Sequence, residues 1–179
     1  MKLTDRIYLV GSGATGFSLT DPGDCHVYLV DGGGELALVD AGTGKGVNGI
    51  TKIIREHGFD PSRIRYLLLT HLHADHAGGA AAIREAAGGL RVGAAGDTAD
   101  ALRDGDEDAI GLSMGKKGGY YEPGYRFESC PVELELAEGS TVSVGDLTMR
   151  CLETPGHCAG HLTFLVECGG RRCLFSGDN

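Results

Sequence analysis

The chain has 179 residues, 16 Lys+Arg against 25 Asp+Glu, a formal net charge of −9, 41% hydrophobic residues and 23% charged ones. That is the length of one domain (1–179), with enough apolar side chain to bury a core and too much for disorder. The acidic balance argues against a nonspecific grip on nucleic-acid phosphates or an anionic membrane surface, and no apolar run reaches the ~18 residues of a membrane span.

The apolar start, Ile7 to Val10, is too short for a signal-peptide core and runs into glycines, so the expected location is cytoplasmic. The six cysteines then read as reduced thiols, and none forms a C-x-x-C pair. Ile7–Val10, His26–Val30 and Glu35–Val39 read as strands, with Asp31-Gly32-Gly33-Gly34 as the hairpin turn between the last two. Gly11-Ser12-Gly13-Ala14-Thr15-Gly16 contains the G-x-G-x-x-G spacing, but Pro22 and Gly23 arrive where a dinucleotide site needs a helix. It is read as a glycine loop near the mouth of the site. A helix from Val47 to His57 carries Val47, Ile50, Ile53 and Ile54 on one face and stops at Gly58.

Ile64–Leu69 reads as a buried strand ending in Thr70 and a histidine cluster. A helix over Ala80–Ala87, a short strand Leu90–Val92 and a helix Asp97–Arg103 follow. Residues 104–129 change character, with few aliphatics, Lys116, Lys117 and the tyrosines Tyr120, Tyr121 and Tyr125. They are read as an insertion or lid. Tyr120 and Tyr121 are candidate substrate-binding residues there, and the lysines could attract an anion. An ordinary surface loop is an equal reading. Strands then resume at Val142–Val144, Leu147–Leu152, Leu162–Val166 and Arg172–Phe175. Strands and helices followed by strands alone predict an α/β sandwich with mixed sheets, not a doubly wound parallel sheet.

The chemistry concentrates in three short segments. In Thr70-His71-Leu72-His73-Ala74-Asp75-His76-Ala77-Gly78-Gly79, His71 and His73 stand two apart beyond a strand, so both imidazoles project to one side and converge on one cation. Asp75 and His76 turn toward the next helix and can reach a second. Histidine suits zinc, and a carboxylate is a compatible harder ligand. Thr154-Pro155-Gly156-His157-Cys158-Ala159-Gly160-His161 is a forced loop after a strand. Phe175-Ser176-Gly177-Asp178 ends a strand on a carboxylate able to bridge two metals.

Four motifs in order, Leu38-Val39-Asp40-Ala41-Gly42, the His71–His76 cluster, Pro155-Gly156-His157 and Ser176-Gly177-Asp178, resemble the metallo-β-lactamase-fold hydrolases over residues 5–178. The resemblance implies a four-layer αβ/βα sandwich of two mixed β-sheets flanked by helices, with a metal site at the mouth between the sheets. It implies His71, His73 and His157 on one metal, Asp75 and His76 on a second, and Asp178 bridging both. Asp40, with Thr70, His161 and Ser176, would stand behind the ligands. Asp40 also reads as a turn residue before Gly42, and His161 as a hydrogen-bonded core histidine. Members of the family usually supply one further histidine to the second metal downstream of the Asp178 position. This chain stops at Asn179 with no spare histidine to fit, and the expectation is a sequence cut short at its C-terminus. Asp rather than Cys at 178 is similar to thioesterase, lactonase and glyoxalase II-type members.

The activity implied is hydrolysis of an ester, thioester, lactone or amide bond in a small molecule, by a metal-bound hydroxide that zinc brings to an accessible pKa. Two zinc ions per complete chain are expected, with iron or manganese as alternatives. Asp75 is expected to orient the nucleophile and take its proton. A small acyl compound is the expected partner, with neither nucleic acid nor membrane, and a homodimer is compatible with the chain. Two other readings stay open: a mononuclear iron persulfide dioxygenase using His71, His157 and Asp178, and a metal-binding domain without catalysis.

Overall fold

The computed structural model describes all residues, 1–179. Three strands open the chain, β1 (Ile7–Gly11), β2 (Val27–Asp31) and β3 (Leu36–Val39), joined antiparallel in sequence order. Helix α1 (Val47–Glu56) then crosses over, buries Val47, Ile50 and Ile54, and packs on β1. Such a crossover returns the chain in the same direction. Accordingly β4 (Ile64–Leu68) pairs parallel with β3, and β5 (Arg91–Ala95) parallel with β4. Between them lie the single turn α2 (Ala74–Ala77) and helix α3 (Ala80–Ala86). Helices α4 (Gly96–Asp104) and α5 (Leu112–Lys117) precede β6 (Leu134–Leu136), which pairs parallel with β5 and completes a six-stranded mixed sheet.

The second sheet contains β7 (Thr141–Val144), β8 (Leu147–Glu153), β9 (Leu162–Cys168) and β10 (Arg171–Phe175), in the order β10-β9-β8-β7. It was expected to be mixed and is antiparallel throughout, because these strands follow one another with no crossover helix to reverse them. Within residues 1–179 helices cover the first sheet alone. The outer face of the second carries exposed Thr148, Arg150 and Glu167.

Period-two alternation explains both cores. On β3, Leu36 and Leu38 enter the core shared with the helices, while Ala37 and Val39 enter the one between the sheets. A strand covered on both faces needs apolar residues at every position, and all four are buried. On β8, Leu147, Met149 and Cys151 are buried and Thr148 and Arg150 exposed, as for a sheet with one covered face. Two strands depart from expectation. β5 runs on through Gly93-Ala94-Ala95, whose small residues carry no strand propensity but fit a crowded interior. β6 was not anticipated, since three residues around Glu135 carry almost no periodic signal. Residues 104–129 send Ile110, Leu112, Tyr125 and Phe127 into the helix-side core. The parallel strands β3 and β4 end side by side, and the site lies beyond those ends.

Candidate metal centre

Asp40 follows β3 with φ 63°, in the left-handed region that a residue with a side chain rarely adopts. Such strain costs ~1–3 kcal/mol and persists where the surroundings impose it. Here three groups impose it. The Thr70 backbone N–H donates to Asp40 Oδ1 at 2.8 Å, the Thr70 hydroxyl lies 2.9 Å from Oδ2, and His76 Nδ1 lies 2.9 Å from Oδ2. Asp40 is therefore both the turn residue and the brace of the histidine loop. Facing a carboxylate, His76 Nδ1 is the donor, which turns Nε2 toward the site.

Thr70 Oγ1 also lies 3.0 Å from His71 Nδ1. If the hydroxyl donates to Asp40, it accepts from His71 Nδ1–H, and the lone pair of His71 is left on Nε2. That atom is buried and has no hydrogen-bond partner. Around it His73 and His157 stand with ring centroids 4.8 and 4.9 Å from His71 and planes at 83° and 89°. One ligating nitrogen from each of the three rings lies within 4.8 Å of those of the other two. His157 Nε2 and His73 Nδ1 are 2.8 Å apart. Burial, reinforced by the neighbouring His76 and His73, pushes His71 down to about 2, and burial with His157 lowers His73. His71 and His73 are thus kept neutral, and a buried acceptor without a donor, as His71 Nε2 is, is costly. A cation fits that vacancy of partners, and an all-nitrogen set suits zinc.

The second grouping comprises His71, His76 and Asp178, again with ligand atoms within 4.8 Å. Asp178 Oδ1 lies 3.1 Å from His76 Nε2 and Oδ2 lies 3.5 Å from His157 Nε2, so the carboxylate spans both groupings as expected of a bridge. A hydrogen bond from His76 holds the Asp178 carboxyl well below the usual range. Burial works against charge on His76, yet Cys25, Asp40 and Asp178 together hold its ring above the ordinary imidazole range. Asp75 stands just outside both groupings, with Oδ2 3.6 Å from His76 Nε2 and Oδ1 accepting from the Tyr121 hydroxyl at 3.2 Å. It borders both cavities of the site, a pocket of about 230 Å³ shared with Asp178 and a cleft of about 520 Å³ shared with His73 and His157.

His161 is buried and stacks on His71, with centroids 5.0 Å apart. Its Nε2 faces the Asp178 backbone N–H at 3.4 Å and its Nδ1 the Thr154 hydroxyl at 2.9 Å, so it ties the β8 end to the β10 end instead of pointing at the cluster. Gly177, at φ 55°, lets this happen. A Cβ there would lie 2.7 Å from His161 Nε2 and 2.8 Å from Thr70 Oγ1. Ser176 lines the 230 Å³ pocket. Of the two candidate tyrosines, Tyr121 reaches Asp75 and Tyr120 stands exposed at the cleft. Lys116 is turned away, paired with Glu107 at 2.7 Å.

Two contributors, Cys25 and His26, escaped the sequence reading, and a third, Tyr125, was read only as part of the lid. Cys25 sits in a buried grouping with Asp40 and His76, its thiol pushed up to about 12 by burial. His26 lines the 230 Å³ pocket with Thr15 of the glycine loop. Tyr125 donates to the Thr43 carbonyl at 2.6 Å and stacks behind Tyr121, centroids 5.6 Å apart. None has a local motif, because each reaches the site only through the pairing of distant strands and loops.

Residues 20–179 match the family model described as the metallo-beta-lactamase superfamily. A hydroxyacylglutathione hydrolase of Cereibacter sphaeroides is 34% identical over 87% of this chain and 48% of its own length. The thioesterase pkgB of Emericella nidulans is 28% identical over 86% of this chain and 35% of its own. The chain thus spans about half or less of the curated relatives it matches. Among solved structures, a metallo-beta-lactamase of Cronobacter sakazakii superposes with a TM-score of 0.78 at 23% identity, over 98% of this chain and 62% of the other, a likeness of fold. With the family model matched over residues 20–179, the chain belongs to the metallo-beta-lactamase superfamily.

Proposed function

We propose that this chain carries the metal centre of a hydrolase acting on small acyl compounds, thioesters foremost. The observation that carries the reading is the buried, partnerless His71 Nε2 where three imidazoles meet, beside the Asp178 carboxylate. The thioester preference is supported by relatives named as a hydroxyacylglutathione hydrolase and a thioesterase. The small-molecule reading also accords with the net charge of −9.

His71, His73 and His157 would hold one cation, and Asp75, His76 and Asp178 would face a second. Zinc bound there supplies a water acidified to near neutral pH and an electrophile for the acyl oxygen. Asp75 orients the attacking water and accepts its proton at Oδ2, while Tyr121 fixes Oδ1 by donating to it. Asp40 holds the His76 ring through Nδ1, and outer carboxylates of this kind keep ligating imidazoles oriented.

The test is to strip the protein with chelator and reload it separately with zinc, iron and manganese. Bound metal per chain is measured beside turnover of an ester, thioester and lactone panel and oxygen uptake on a persulfide. Zinc retention with thioester hydrolysis is expected, and Asp75→Ala is expected to lower kcat about 10²–10⁴-fold with the triad's metal kept. One iron per chain with persulfide-dependent oxygen uptake and no hydrolysis would sink the reading.

A further inference from the structure

The 520 Å³ cleft has a floor made of His73, Asp75 and His157 and walls made of Ile110, Met114, Tyr120 and Tyr121. Its volume lies within the range of pockets that hold small organic ligands. The walls are apolar yet open to solvent: Tyr120 is 85% and Met114 78% exposed, more than any other large apolar side chain of the molecule. More exposed apolar surface borders the mouth. Leu174, 61% exposed, lines the adjoining pocket, and Phe17, 60% exposed, packs edge-on against His26 of that same pocket.

The wall is a built feature. Tyr121 lies flat against α5 because position 115 is glycine, since a Cβ there would run into the Tyr121 ring. Tyr125 stacks behind Tyr121 and is itself anchored on Thr43. The charge pattern is equally one-sided. No lysine or arginine lines the cleft, and Asp75 is its one acidic group. The nearby cations are occupied elsewhere, Lys116 by Glu107 at 2.7 Å and Lys45 by Glu122 at 3.3 Å. Along the walls, away from the floor, an anionic acyl tail would meet no lysine or arginine.

Building on the hydrolase reading above, we propose that this cleft is the acyl-binding subsite and that it selects thioesters whose acyl group is uncharged, apolar and longer than acetyl. The acyl tail lies along Ile110, Met114 and Tyr120 with its carbonyl end toward His73, Asp75 and His157.

The experiment separates binding from turnover. Calorimetry measures binding of two non-hydrolysable thioethers of N-acetylcysteamine, S-octyl and S-ethyl. A methylene leaving water for an apolar site is worth about fourfold. Because the cleft is open, a preference of at least ~10-fold for S-octyl is expected, falling at least ~5-fold in the Met114→Ala/Tyr120→Ala double variant. Both residues are exposed, so the variant keeps the fold, and circular dichroism checks it. Leu3→Ala, exposed but away from the cleft, should leave the preference as it is. Equal binding of the two thioethers, or a preference the double variant leaves intact, overturns the proposal. Turnover of S-octanoyl, S-acetyl and S-succinyl thioesters by the zinc-loaded chain distinguishes the two failures. Hydrolysis without an octanoyl preference defeats the subsite alone. Octyl binding without hydrolysis of any thioester defeats the hydrolase reading and leaves the apolar subsite standing.

Discussion

The two halves of the metal centre are built differently. The first sheet supplies a buried inner set, His71, His76, Asp40 and Thr70, each at most 4% exposed and with Asp40 tying His76 to the loop backbone, while its His73 and Asp75 face the open cleft. The half supplied by the second sheet is open: the His157 and Asp178 side chains are 30% and 42% exposed and rest on loops that His161 pins together. The helix-covered sheet can bury polar groups because it brings partners for them. The outer sheet leaves His157 and Asp178 open to solvent. One part is held by its own hydrogen bonds, and the other is held only by loops.

The largest test of that contrast is stability without metal. Asp40→Ala removes a buried carboxylate and leaves the Thr70 N–H and the His76 ring unpaired, so a loss of about 3–5 kcal/mol is expected in chemical denaturation under chelator. His157→Ala, on the open half, should stay within about 0.5 kcal/mol of the parent. Equal losses would break the comparison. Asp40→Asn sharpens it, because asparagine tolerates the left-handed backbone while removing the charge. The fold should survive and metal affinity should fall ~10–100-fold, read by competition with a chromogenic chelator. The smallest effect concerns the contact from the loop after α5 to the cluster. Tyr121→Phe deletes one hydrogen bond to Asp75, worth about 1 kcal/mol, so kcat should drop about fivefold with KM unchanged. A change in KM alone would make Tyr121 a substrate contact instead of a positioning residue.

Much of this arrangement was legible in the sequence. The spacing of His71, His73, Asp75 and His76 after a buried strand announced converging ligands, and Asp178 at a strand end suggested a bridge. Helix and strand cores followed from periodicity, as with Val47, Ile50 and Ile54 on α1. Local pattern failed where local signal is weak. β6 is three residues long, and β5 ends in Gly93-Ala94-Ala95, whose fitness for a strand lies in the closeness of its neighbours. Lys116 read as an anion-steering charge because its partner, Glu107, lies nine residues away across a turn. Cys25 and His26 gave no signal at all, because a residue just before a strand acquires its surroundings from whatever the strand pairs beside.

By itself, the order of the residues determined which groups could act as ligands, that strands and helices give way to strands alone, and that the clustered side chains are of a type that suits a metal. Only the tertiary structure decided that Asp40 braces His76, that His161 ties β8 to β10 without facing the cluster, and that Tyr121 reaches Asp75. Ligand type and periodicity are properties of neighbours along the chain. Burial, charge state and free lone pairs depend on residues that meet only after two sheets have folded together.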